Sequence, residues 1–138
     1  MAEWGFRDLA ERKELWQFTV SSAGVAAVPG SPPTQNTLLV LSERGIDASE
    51  HRATLLNANL IQAADVVLGM TGAHVHTISN AVPRADEKTF LLKKFAPDAE
   101  ESDIPDPFGL PLDDYRQCLD SIQSCFGGLM AYLLEDAV

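Results

Sequence analysis

Apolar positions along this chain follow two different rhythms, and each change of rhythm marks an element. Tyr115, Cys118, Leu119, Ile122, Cys125, Phe126, Leu129, Met130 and Leu133 recur at steps of three and four. That spacing lays them on one face of a helix, predicted over residues 113–135. Gly127 and Gly128 interrupt the stripe at about 1 kcal/mol each relative to alanine. They mark a close contact or a fraying last turn. Asp65-Val66-Val67-Leu68-Gly69-Met70 behaves differently. Its apolar run has strand length and does not alternate, as expected of a strand buried on both faces in a parallel sheet. Phe18-Thr19-Val20-Ser21 and Thr89-Phe90-Leu91-Leu92 are β-prone and read as two further strands.

Helical segments fall between the strands. Residues 2–13 are rich in charge, Ala and Leu, and read as a short helix. Thr34 is a suitable N-cap for a helix running to Arg44, with Gly45 as its stop. Residues 55–64 and 72–81 make two more, the second closed by Pro83, and Asp113-Asp114 is expected to cap the last helix. Residues 29–33 and 94–111, rich in Pro, are loops. Helices alternating with buried strands imply an α/β domain with a parallel sheet and helices on both faces, a three-layer αβα arrangement. The 138 residues suit one domain spanning 1–138.

Charge narrows the partners. Twenty acidic residues against 10 basic ones leave a net charge of −10, with no basic cluster. Such a chain repels nucleic acid and anionic membrane. No apolar run approaches the roughly 20 residues that span a bilayer, and the start at Met1-Ala2-Glu3-Trp4 is unlike a signal peptide. A cytoplasmic protein is expected. The two cysteines, Cys118 and Cys125, sit seven positions apart. On one helix their Cα atoms would be about 10.5 Å apart, too far for a disulfide. His51, His74 and His76 show no ligand spacing with them, so neither metal nor cofactor is expected.

Several segments, taken in order, carry a resemblance. They are Ser22-Ala23-Gly24, Gly45-Ile46-Asp47 with His51 shortly after, Asp65 to Thr71, and Asp106-Pro107-Phe108-Gly109 ahead of the last helix with Tyr115 near its start. Their order and spacing resemble the low-molecular-weight protein tyrosine phosphatases, especially bacterial members, over nearly the whole chain. The resemblance implies the family's four-stranded sheet of order 2-1-3-4. It also implies a phosphomonoester hydrolase acting on phosphotyrosine or phosphoarginine in proteins through a cysteinyl-phosphate intermediate. Asp106 matches the family's general acid, which protonates the leaving oxygen or nitrogen. Phe108 would line the substrate cleft, and Ser22 and His51 would support the phosphate loop.

Family members open with a strand and a Cys-x5-Arg loop that ends Arg-Ser-Pro-Met-Ala-Glu. The present sequence contains no Cys-x5-Arg: six residues after Cys118 stands Ser124, and six after Cys125 stands Ala131. The expectation is therefore a phosphatase fold without its first strand, inactive as given, with an upstream reading frame that supplies the loop. The alternative is a pseudophosphatase or binding module. Arsenate reduction on the same scaffold needs a cysteine pair, and residues 70–90 hold no cysteine.

Overall fold

Helix α1 (Ala2–Arg12) places Glu3, Gly5, Phe6 and Ala10 inward, at helical spacing. The computed structural model describes residues 1–98 and 102–136, so 99–101 of the predicted loop 94–111 lie outside the described residues. The chain divides into two compact units, residues 1–56 with 107–123, and residues 57–106 with 124–138.

In the first unit, helix α2 (Gln35–Ser42) begins at Thr34, whose Oγ1 accepts the Thr37 N–H at 3.3 Å. Gly45 follows with φ +76°, the left-handed value that ends a helix most readily at glycine. Val40, Leu41, Ile46 and Ala48 then pack against Tyr115 and Leu119 of helix α5 (Leu112–Ser124). Each large side chain so buried contributes about 1.5–3 kcal/mol. Asp113 and Asp114 occupy the first turn of α5 and do not precede it. A carboxylate is favourable there too, because the first turn carries partial positive charge. Residues 18–21 form no strand. A strand exists only by pairing, and the Val20 carbonyl accepts the Arg7 guanidinium at 2.9 Å. Just beyond, the loop base is clamped by Gly24 N–H to Thr54 O and Leu56 N–H to Gly24 O, each 2.9 Å.

The second unit holds helix α3 (Ala58–Ala63), strand β1 (Val67–Gly69), helix α4 (Gly72–Ala81), strand β2 (Thr89–Leu91) and helix α6 (Phe126–Asp136). β1 and β2 run parallel in the register Val67 to Thr89, Leu68 to Phe90 and Gly69 to Leu91, with α4 in the crossover. Among the described residues this pair is the whole sheet, so two of the three predicted strands are present. α3 starts later than predicted because Asn57 caps it, accepting the Leu60 N–H at 2.9 Å. Val66, Val67 and Leu68 are half-buried and only Gly69 is fully buried. The predicted burial on both faces is thus incomplete, as expected for a strand paired in this sheet only with β2. A Cβ on Gly69 would lie 3.0 Å from Val75 Cγ2, so glycine lets α4 pack closely on β1.

The predicted helix 113–135 is two helices, α5 and α6, separated at Cys125. The buried stripe continues through the break with Cys125, Phe126, Leu129 and Met130, so its period conceals the interruption. Both cysteines are thiols and form no disulfide. Gly128 marks a close contact: a Cβ there would stand 2.3 Å from the Phe95 carbonyl oxygen, a backbone atom. Gly128→Ala should therefore destabilise the protein by about 1–3 kcal/mol through forced backbone movement. Urea unfolding should show a lower midpoint at unchanged slope. An unchanged midpoint would contradict the contact.

Candidate active site

Asp106 lies in the Pro105-Asp106-Pro107 sequence and is exposed. Each proline fixes its own φ and holds the residue before it extended. The segment is also anchored at its start. Ile104 N–H donates to Met70 O at 2.8 Å, and the Ile104 side chain is buried. Met70 directly follows β1, so Asp106 stands two residues beyond an anchor at the carboxyl end of a parallel strand. Ligands of open α/β sheets bind at that end.

Phe108 comes next, in a tight turn closed by Leu110 N–H to Pro107 O at 2.9 Å. Gly109 takes φ +80°, the positive value that the third position of a type II turn requires. Phe108 is thereby held at the turn tip with 73% of its surface exposed. It is not part of the core.

Ser22 and His51 meet at one carboxylate. Ser22 Oγ donates to Glu3 Oε1 at 2.7 Å, and His51 Nδ1 lies 3.8 Å from the same oxygen. Arg7 Nη2 donates to Glu3 Oε2 at 2.6 Å. The Arg7 guanidinium stacks on Trp4 at 4.7 Å, and the Trp4 ring meets His51 edge-on at 6.0 Å between centroids. Glu3 is buried, in the first turn of α1, where the helix N-terminus also favours negative charge. Glu3→Ala would leave Arg7 and Ser22 without their partner and should cost about 2–3 kcal/mol, read from thermal or urea unfolding. Glu3→Gln keeps an acceptor and should cost less. Equal losses would mean that the negative charge alone carries the cluster and that a neutral acceptor of the same size contributes nothing.

The family resemblance named Ser22 and His51 but not Glu3, the residue that joins them. Glu3 closes the Met1-Ala2-Glu3 stretch that resembles the end of the family's loop, but that resemblance did not point to Ser22 and His51 as its partners. His76 is exposed and bonded to Asn80, and His74 is half-buried on α4. The described residues contain no group of three or more His, Cys, Asp or Glu able to hold a metal ion. Nor, among them, is any helix long and apolar enough to cross a membrane. An open groove of about 570 Å³ lies along α2 and residues 45–49, lined by Leu38, Leu39 and Ile46 among others. None of Ser22, His51, Asp106 or Phe108 lines it.

The sequence matches the family described as low molecular weight phosphotyrosine protein phosphatase over residues 1–138. The chain belongs to that family. A protein-arginine-phosphatase of Geobacillus stearothermophilus is 40% identical over 116 residues, 84% of this chain and 77% of that one. A protein-arginine-phosphatase of Bacillus subtilis (strain 168) is 35% identical over 136 residues, 99% of this chain and 89% of that one. The solved low molecular weight protein tyrosine phosphatase of T. tengcongensis superposes with a TM-score of 0.85 at 32% identity, covering 95% of this chain and 88% of that one. The expected α/β class and the low molecular weight phosphatase fold are therefore both present. The parallel pair β1–β2 is the part of the sheet that the described residues form.

Proposed function

We infer that this low molecular weight phosphatase chain serves the hydrolysis of phosphomonoesters or phosphoramidates on protein side chains, with Asp106 as general acid. The observation that carries the reading is the anchored Pro-Asp-Pro segment beyond the carboxyl end of β1. An aspartate held there loses little entropy on meeting a substrate. In the family's reaction a cysteine thiolate attacks phosphorus, the bond from phosphorus to the leaving oxygen or nitrogen breaks, and the acid gives that atom its proton. Water then cleaves the cysteinyl phosphate. Phe108, exposed at its turn tip, would flank the phosphorylated side chain. Ser22 and His51, gathered on Glu3, would support the phosphate loop from α1. No Cys-x5-Arg occurs in the 138 residues, so the nucleophile and phosphate cradle are not among them.

Phosphoarginine is the favoured substrate class, supported by the two arginine phosphatases at 40% and 35% identity. Its leaving guanidine nitrogen needs a proton at neutral pH, which suits a positioned carboxylic acid. The test is an N-terminally extended form carrying a family-type strand and Cys-x5-Arg loop, assayed on peptides bearing phosphoarginine or phosphotyrosine at one position. A kcat/KM at least about tenfold higher for phosphoarginine, or about 1.4 kcal/mol of discrimination, is expected. A preference for phosphotyrosine would reassign the substrate and leave the acid role standing.

A further inference from the structure

Asp103 Oδ1 accepts the backbone N–H of Gly72 at 2.8 Å. One residue later, Ile104 N–H donates to Met70 O at 2.8 Å. Gly72 is the first residue of α4 and Met70 directly follows β1, so two consecutive residues grip the strand-to-helix junction from outside. The Gly72 N–H is one of the first amides of a helix, which have no acceptor within the helix. A carboxylate suits it, because the helix N-terminus carries partial positive charge. Thr71 serves a different amide, that of His74, at 3.2 Å. Asp103 therefore adds to the cap and does not duplicate it.

The grip bears on the residues just after it in the chain. Ile104 is 3% exposed, and Pro105 holds it extended. Asp106 lies two residues past Ile104, about 7 Å of extended chain. Prolines on both sides leave few torsions to absorb slack, so movement at residues 103–104 passes on to Asp106.

We propose that Asp103 is a positioning residue for Asp106: its carboxylate, docked on the N-terminus of α4, fixes the acid-bearing segment against the β1–α4 junction. The inference rests on the general-acid reading of Asp106. Asp103 touches no reacting atom and acts only through the segment it holds.

Two measurements test it. The first uses the 138-residue chain and amide hydrogen exchange by NMR. Asp103→Ala should speed exchange at Gly72 and Ile104 about tenfold by local opening and lower the order parameter of the Asp106 amide. Asp103→Asn retains a carbonyl oxygen and should stay within about threefold of the parent. Unchanged exchange in Asp103→Ala would overturn the tether. The second uses the N-terminally extended form and compares kcat/KM, which covers the step that expels the leaving group, for nitrophenyl and phenyl phosphate. Asp103→Ala should raise the ratio of the first to the second about three- to tenfold through misplacement of the acid, with both KM values little changed. Asp103→Asn should restore most of it. If Asp106→Asn moves the ratio and Asp103→Ala does not, the positioning role falls and the acid role stands. If Asp106→Asn leaves the ratio unmoved, the acid role falls and takes this inference with it.

Discussion

The 138-residue polypeptide is expected to show no turnover of an aryl phosphate at a rate typical of its family. The chemistry needs a thiolate that attacks phosphorus, a cradle of backbone N–H groups and a guanidinium that binds the equatorial oxygens. The two cysteines here are poor substitutes. Cys125 is fully buried, and burial pushes its thiol above the usual cysteine range, so little thiolate forms at neutral pH. Cys118 is half-buried on α5, and no arginine stands six residues beyond either cysteine. Asp106 cannot fill the gap. A general acid contributes typically about 10²–10⁴-fold and forms no covalent intermediate. The check is a discontinuous phosphate-release assay on the polypeptide, on the double variant Cys118→Ser with Cys125→Ser, and on Asp106→Asn. Turnover that survives loss of both thiols but disappears with Asp106→Asn would overturn the expectation. It would show water attacking a phosphate held by other groups.

Legibility in the sequence tracks the range of the forces involved. Local signals were legible: the Thr34 cap, the Gly45 stop and residues 72–81 of α4 fall where propensity and capping place them. Non-local pairing was not. Phe18-Thr19-Val20 has the composition of a strand, but composition cannot supply a neighbour, and Arg7 takes the Val20 carbonyl. The break at Cys125 was hidden because the apolar period runs through it. At the candidate site, Asp106 and Phe108 were legible through the family resemblance of the contiguous stretch Asp106-Pro107-Phe108-Gly109, which needs no distant partner to be read. Glu3 and Asp103 were not. Each is defined by a partner 19 or more residues away, Ser22 for Glu3 and Gly72 for Asp103, and a carboxylate in a charged segment announces no such partner.

Asp106→Asn in the N-terminally extended form should slow hydrolysis of phenyl phosphate by about 10²-fold or more and that of nitrophenyl phosphate far less. The difference lies in the leaving oxygen. Phenolate is basic enough that its bond to phosphorus breaks readily only as a proton arrives, whereas nitrophenolate departs unaided. Asparagine has nearly the shape of aspartate and fits the same Pro-Asp-Pro geometry, so the segment and its anchor at Met70 should persist. Only the transferable proton is lost. The pH–rate profile gives a second, independent reading. Its acidic limb reports formation of the thiolate and the substrate dianion, and should remain. Its basic limb reports loss of the proton from the acid, and should flatten once that acid is gone. Equal slowing of both substrates with both limbs intact would mean that Asp106 shapes the loop without giving up a proton, and the acid would have to be sought on another residue.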